Sequence, residues 1–435
     1  MSDPIRTFRV VSFGCKVNQT EGLALADRLR RLGLREAPPR GHADLVVVNT
    51  CTVTAEADRQ GRQRLRRAAR RGAAVAVTGC GVHPAAGGGP FDGAANLLAA
   101  DADKDRLLAR LQEAGHLPAS EPAPADTETA PSAASQPRSR AMLKVQDGCP
   151  GGCAYCIVPM VRPEVRSVPP DDVVRPAETL VAEGFREIVL CGIHLGLYGC
   201  DLGQPLSLPG LVERLLAVEG LGRLRLSSLS PAEVDAALLA LVASEPRRLC
   251  PHLHLSLQSG DDAVLARMGR PYTRSDFLRT AARVREALDE PALTTDVLVG
   301  FPGETEEAFT RTLDACREAG FARMHVFPFS PRPGTRAADM PGRVPVRTVR
   351  DRCRRAAELG ETLADAYRRR LVGRREAVAV EAVRRDGSAE GLAARYVRVA
   401  VRGPLPGGAG RRDLVPVRLT GVAGDVLEAR AEGRT

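Results

Sequence analysis

Three textures of apolar and polar positions succeed one another along the chain. Residues 1–115 alternate short apolar runs, at 8–12, 45–48 and 74–77, with helical stretches. Such runs between helices predict strands of a parallel α/β sheet. From 116 to 140 large apolar side chains almost vanish among Pro, Ala, Ser and Thr. That composition cannot offset its ordering entropy and predicts a flexible linker. From 141 to 370, β-rich runs at 142–146, 187–193, 223–229, 252–257, 293–299 and 324–329 alternate with helical patterns near 171–184, 209–219, 231–244, 273–288 and 304–319. Six strand–helix units in a row predict a parallel sheet, and right-handed crossovers would curl it into a complete or partial barrel. From 371 to 432, alternating runs at 377–380, 397–401 and 415–419 sit between Gly-rich turns and predict a small all-β barrel. The expected class is α/β, with a parallel α/β domain, a linker, a partial (β/α)6 barrel and a terminal β-barrel.

Composition narrows the setting. No run approaches about eighteen apolar residues, so no transmembrane helix is expected, and the start of the chain lacks a signal peptide's apolar core. A cytoplasmic, reducing location follows as the expectation. There the eleven cysteines point to metal or catalysis rather than a disulfide framework. A net charge of +9 suggests a polyanionic partner without naming one. Seven arginines between Arg59 and Arg71, and five between Arg347 and Arg355, lie on two helical segments. Each run reads as a solvated face or as phosphate contacts.

Two cysteine sets carry the chemistry. Cys149, Cys153 and Cys156 stand in Asp-Gly-Cys-Pro-Gly-Gly-Cys-Ala-Tyr-Cys. Three local thiolates on a 4Fe-4S cluster leave one iron without a protein ligand, open to a small molecule. A structural zinc site would need a fourth ligand, and no other Cys or His lies within thirty residues on either side. The second set is not local. Each of the first three strands runs into a cysteine: Phe-Gly-Cys15, Asn-Thr-Cys51 and Thr-Gly-Cys80. Open α/β sheets bind ligands beyond the carboxyl ends of their strands, so these thiols are expected to converge on a second cluster. The competing reading is that they are small apolar residues packed at strand ends. Gly14 and Gly79, each preceding a cysteine, permit the sharp turns required. Cys191 follows the strand at 187–190; Cys200, Cys250, Cys316 and Cys353 read as packing or surface residues. The segment Phe301-Pro-Gly-Glu304 lacks the Lys-Ser/Thr of a P-loop, so ATP binding is not expected.

The three-cysteine motif at the end of the first barrel strand resembles the radical S-adenosylmethionine (SAM) superfamily. The preceding triad narrows the resemblance to the methylthiotransferases, over nearly the whole chain apart from the linker. Further similar segments are Glu187-Ile-Val-Leu-Cys-Gly-Ile-His194, Arg225-Leu-Ser-Ser-Leu229, His254-Leu-Ser-Leu-Gln-Ser-Gly260, Asp296-Val-Leu-Val-Gly-Phe-Pro-Gly-Glu304 and His325-Val-Phe-Pro-Phe-Ser-Pro. The C-terminal block resembles a TRAM domain, an RNA-binding barrel. Within the family, Phe13-Gly-Cys-Lys-Val-Asn-Gln-Thr-Glu21 resembles the MtaB type rather than the prenyl-adenosine enzymes or the ribosomal-protein enzymes. The chain departs from the family pattern at Gly81-Val-His83 after Cys80 and at Val161-Arg-Pro163 after the second cysteine set.

The resemblance implies two 4Fe-4S clusters and SAM as cofactors. It implies domains at 1–115 (auxiliary cluster), 141–370 (radical SAM) and 371–432 (TRAM-like), separated at 116–140 by the linker. The cluster on Cys149, Cys153 and Cys156 would cleave SAM to a 5′-deoxyadenosyl radical. The cluster on Cys15, Cys51 and Cys80 would carry sulfur, and a second SAM the methyl group. The product would be 2-methylthio-N6-threonylcarbamoyladenosine at position 37 of tRNA, modified at C2. The partners implied are the tRNA anticodon stem-loop and a reductant such as flavodoxin or ferredoxin, with no membrane. Gly192, Ser228, Gln258, Asp296 and Gly300, at or near strand ends, are candidate SAM contacts, with packing or capping as the alternative; His194 is a candidate pocket residue. Other readings are methylthiolation of prenyl-adenosine in tRNA or of a ribosomal-protein aspartate, and a noncatalytic iron–sulfur RNA-binding redox sensor.

Overall fold

The computed structural model describes residues 5–38, 40–86, 97–118, 131–132, 134–136, 138–203 and 206–432. Most of the expected linker, 119–130, and the Gly-rich stretch 87–96 lie outside the described residues. The chain divides into two compact units. One contains the described residues up to Gln136, with Met142–Val168 and Ser330–Asp339; the other contains the remainder.

The first unit is built on β1 (Thr7–Ser12), α1 (Lys16–Arg31), β2 (Arg35–Glu36), β3 (Leu45–Thr50), α2 (Ala55–Arg70), β4 (Ala74–Gly79), β5 (Leu97–Ala100) and α3 (Lys104–Glu113). Its five strands are parallel in the order β2-β1-β3-β4-β5. A parallel sheet covered on both faces needs unbroken apolar strands, and all six residues of β3 are buried. Alternation divides them: Leu45 and Val47 pack with Leu25, Leu29, Leu107 and Leu111 of α1 and α3, while Val46 and Val48 pack with Leu65 and Ala68 of α2. The doubly wound order places its switch point between β1 and β3. The same unit holds β6 (Ala141–Asp147, from Met142 on), α4 (Val158–Val161) and β7 (Arg166–Ser167), with β6 and β7 antiparallel.

The second unit begins with α5 (Pro170–Ala182), β8 (Glu187–Gly192), α6 (Leu208–Leu216), β9 (Arg223–Leu226), β10 (Ser228–Leu229), α7 (Ala236–Ser244), β11 (His252–Leu255), α8 (Asp262–Met268), α9 (Arg274–Ala287), β12 (Ala292–Val299), α10 (Glu306–Ala319), β13 (Arg323–Pro328) and α11 (Val346–Leu371). β8 and β9 pair in parallel, as do β10, β11, β12 and β13 in that order. The run expected as one strand at 223–229 is broken at Ser227, whose N–H bonds to Leu190 O at 3.1 Å; beyond it the chain pairs with β11 instead of β8. The helix expected over 231–244 is also divided. Ser230 and Glu233 close a capping box around one tight turn at Pro231–Glu233, and the Asp235 side chain then caps α7.

The last segment contains β14 (Arg375–Val383), β15 (Ala389–Ala393), β16 (Arg398–Arg402), β17 (Leu414–Ala423) and β18 (Val426–Ala431), closed as β14-β15-β16-β18-β17. Closure removes every free edge. Val378, Val399, Val417, Leu419 and Leu427 fill its interior. At Gly391 a Cβ would stand 2.2 Å from Ala379 O, so β14 and β15 approach there as only glycine allows.

Candidate functional site

β1, β3 and β4 are neighbours in one sheet, and each delivers its cysteine at its carboxyl end. Gly14 has φ +89° and Gly79 φ +91°, conformations that glycine adopts freely. A Cβ on Gly14 would lie 2.4 Å from Cys51 Sγ, so the loop after β1 lies directly against the thiol after β3. Cys15 is the N-cap of α1 and accepts the Asn18 N–H at 3.4 Å. Asn18 pins the same corner, donating to Phe13 O at 2.7 Å and Thr50 O at 3.1 Å, while Asn49 donates to Asn18 O at 2.7 Å. Thr50 Oγ1 accepts the N–H of Gly81, just past Cys80, at 3.2 Å. Burial pushes the Cys51 thiol up to about 12, and Cys15 and Cys80 press in the same direction. The structure thus places Cys15, Cys51 and Cys80 at the carboxyl ends of three adjacent strands.

Cys149, Cys153 and Cys156 occupy one loop beyond β6. Gly148, at φ +75°, lets the chain pass so close to Glu164 that a Cβ would stand 1.7 Å from its carbonyl oxygen. Cys149 N–H bonds to Arg162 O at 3.0 Å, Gly151 N–H to Cys149 Sγ at 3.4 Å, and Cys156 N–H to Cys153 O at 3.1 Å. Three thiols per set, with glycines beside them, suit the donor chemistry of an iron–sulfur cluster. Among the described residues, no group of three His, Cys, Asp or Glu side chains already stands in metal-holding arrangement.

A buried ion cluster lies beside Cys80, and its existence was invisible to motif reading. Glu21 meets Lys104 at 2.8 Å, Lys144 at 2.7 Å and both terminal nitrogens of Arg162 at 2.8 Å. Asp147 meets Lys144 at 2.7 Å and Arg162 at 2.6 Å. Burial alone would raise the Glu21 carboxyl; Lys104, Lys144 and Arg162 overcome it and hold the group well below the usual carboxylate range. Arg162 Nε is 3.4 Å from Cys80 Sγ. These residues line a cavity of about 420 Å³ together with Cys80, His83 and Arg28.

In the second unit, Gly192, Gln258 and Gly300 stand at or just beyond carboxyl ends of parallel strands, where barrels contact ligands, whereas Ser228 begins a strand and Asp296 lies inside one. Gly192 closes β8, and Ser228 opens β10 with its side chain exposed. Gln258 has φ +66°; its N–H bonds to Asp296 O at 2.9 Å, and its carbonyl accepts from Leu298 at 2.9 Å. A non-glycine residue held in that region stores strain of about 1–3 kcal/mol, a feature that collects at ligand sites. Asp296 Oδ2 lies 3.3 Å from His254 Nε2. Gly300 has packing contacts: its N–H bonds to Glu304 at 2.9 Å, and a Cβ would meet Val349 at 2.4 Å. His194 pairs with Glu233. Within the arginine run of α11, Arg352 is buried against Glu304 at 2.8 Å and serves the fold, while Arg354 pairs with Asp351 at 2.7 Å on the exposed face.

Comparison with known proteins finds a separate family match for each of the two regions that carry the cysteine sets. Residues 143–316 match the radical SAM superfamily, and residues 7–86 match the family described as "Uncharacterized protein family UPF0004". The chain is 35% identical to the threonylcarbamoyladenosine tRNA methylthiotransferase MtaB of Thermotoga maritima, covering 91% of each chain. It is 37% identical to the tRNA-2-methylthio-N(6)-dimethylallyladenosine synthase of Parafrankia sp., over 92% of this chain and 84% of that one. The solved radical SAM methyltransferase TsrM of Kitasatospora setae shares the fold, with a TM-score of 0.53 at 17% identity over 77% of this chain and 75% of that one. Among the described residues, no helix is long and apolar enough to cross a membrane. Two cysteine sets, with a relative 35% identical over 91% of both chains, place the chain in the radical SAM methylthiotransferase family.

Proposed function

We propose that this enzyme methylthiolates C2 of N6-threonylcarbamoyladenosine at position 37 of tRNA. The observation that carries the reading is the gathering of Cys15, Cys51 and Cys80 by three adjacent strands, in a chain whose second cysteine set has the radical SAM spacing. Support for the nucleoside comes from the Phe13–Glu21 segment and from the MtaB relative matched over 91% of both chains.

Cys149, Cys153 and Cys156 would hold one 4Fe-4S cluster, and Cys15, Cys51 and Cys80 the other. When bound, the first supplies reductive cleavage of SAM to a 5′-deoxyadenosyl radical, and the second supplies sulfur. The chain's own residues bind, orient and exclude water. Cys51 must lose its proton to become a ligand, because thiolates bind metal; its burial makes that loss depend on the metal. The strained turn at Gln258 and the Asp296–His254 pair are the candidate SAM contacts, with Gly192 and Ser228 at neighbouring strand ends; Gly300 is better read as a packing residue. The C-terminal barrel, with eleven arginines against eight acidic residues from 372 to 432, would engage the anticodon stem-loop through phosphates. A cytoplasmic flavodoxin or ferredoxin would supply electrons.

Nucleoside mass spectrometry of tRNA from cells with and without the chain tests the reading. Loss of 2-methylthio-N6-threonylcarbamoyladenosine is expected. Loss of the methylthio-prenyl nucleoside instead would move the substrate to that named for the Parafrankia relative. An unchanged profile would sink the tRNA assignment.

A further inference from the structure

Arg162 touches both cysteine sets. Its backbone carbonyl accepts the Cys149 N–H at 3.0 Å. Its side chain, only 13% exposed, donates from Nε to Cys80 Sγ at 3.4 Å. Both terminal nitrogens bond elsewhere, to Glu21 at 2.8 Å and, from one of them, to Asp147 at 2.6 and 2.8 Å. A guanidinium is planar and keeps its charge, so two carboxylates gripping one edge fix where the remaining N–H points. Here it points at sulfur. The buried cluster holds three cations, Lys104, Lys144 and Arg162, against two carboxylates, Glu21 and Asp147. One positive charge is therefore left over beside Cys80.

We propose that Arg162 is a positioning residue that sets the reduction potential of the cluster on Cys15, Cys51 and Cys80 and ties that cluster to the loop of Cys149, Cys153 and Cys156. This rests on the reading that Cys80 is a cluster ligand. An N–H bond to a ligand sulfur and a nearby positive charge both stabilise the electron-richer, reduced cluster; hydrogen bonds and net charge are among the levers that set such potentials. The effect is strong in a buried setting, where charge is poorly screened. Because one residue supplies a carbonyl to Cys149 and a donor to Cys80, a change in either loop is transmitted to the other through a side chain that two ion pairs hold in place.

The test uses the full chain carrying Cys149→Ala, Cys153→Ala and Cys156→Ala, so that a single cluster remains. It is reconstituted anaerobically, iron and sulfide are counted, and the midpoint potential is read by EPR during redox titration. Arg162→Gln and Arg162→Lys are added in turn. The expected result is one cluster in the parent and a more negative potential in both variants, larger for Gln, which loses the charge as well as the geometry. Arg162→Lys keeps the charge for Glu21 and Asp147, so it covers the case in which Arg162→Gln fails to hold its cluster. A role in folding alone would lower the thermal midpoint and leave the potential unmoved. An unmoved potential in a variant that retains its cluster overturns the inference. Absence of iron from the parent would overturn the cluster reading itself, a separate failure visible before any titration.

Discussion

At the scale of the residue, the site depends on backbone conformations that only glycine adopts freely. Gly79 sits at φ 91°, ψ −173°, where a side-chain-bearing residue is strained by about 1–3 kcal/mol. A Cβ there would also stand 2.4 Å from Thr50 O and 2.6 Å from Asn49 Oδ1. Neither neighbour can retreat, since Thr50 O is backbone inside the sheet and Asn49 is fully buried. Gly79→Ala should therefore displace the end of β4 and with it Cys80. Iron analysis after reconstitution should fall from two clusters toward one, while the loop of Cys149, Cys153 and Cys156 keeps its own. Full iron content in that variant would show that Cys80 needs no such turn.

At the scale of the element, the second unit is pinned by a buried carboxylate. Glu187 opens β8 and meets Arg223 at 2.5 Å and Arg225 at 2.7 Å from β9, all three with side chains at most 1% exposed. The two arginines then donate into the terminal barrel, Arg223 to Ala377 O at 2.6 Å and Leu392 O at 2.9 Å, Arg225 to Ala394 O at 2.8 Å and Ala393 O at 3.1 Å. Burial would raise the Glu187 carboxyl, but Arg223 and Arg225 bring it down from the ordinary 4.5 to about 2. Glu187→Gln leaves two buried guanidiniums without their counter-charge and should cost about 3–5 kcal/mol of stability near neutral pH. A depressed carboxyl stabilises the fold above its unfolded value and loses that contribution as pH falls through its folded value. The gap between parent and variant in urea unfolding should thus shrink from about pH 4.5 down toward pH 2. A gap that does not change with pH would refute the charged role of Glu187. This pin was not legible in the sequence, although β8 and β9 were, because alternation marks strands but not which polar residues turn inward. The Glu21–Arg162 pair was hidden for another reason: its members are 141 positions apart. β15 escaped notice because Ala-Glu-Gly-Leu-Ala has little β preference, and α8 because seven residues show too little periodicity. The strand-end cysteines were legible because Cys51 and Cys80 directly follow the buried runs of β3 and β4 and Cys15 comes three residues after β1, and the sheet order brings those runs together.

At the scale of the whole molecule, the two cysteine sets would do different work. One belongs to a doubly wound sheet whose switch point lies between β1 and β3, the other to a glycine-lined loop after β6. Radical generation and sulfur insertion are then separable by mutation. The most direct measurement is an anaerobic reaction of the Cys15→Ala, Cys51→Ala, Cys80→Ala variant with SAM, reductant and tRNA that carries threonylcarbamoyladenosine but no methylthio group. Both products are quantified in the same tube. The account predicts continued formation of 5′-deoxyadenosine, slower if the substrate is less well positioned, and no methylthiolated tRNA. Methylthiolation at the parent's rate, or loss of both products together with all iron, would contradict it.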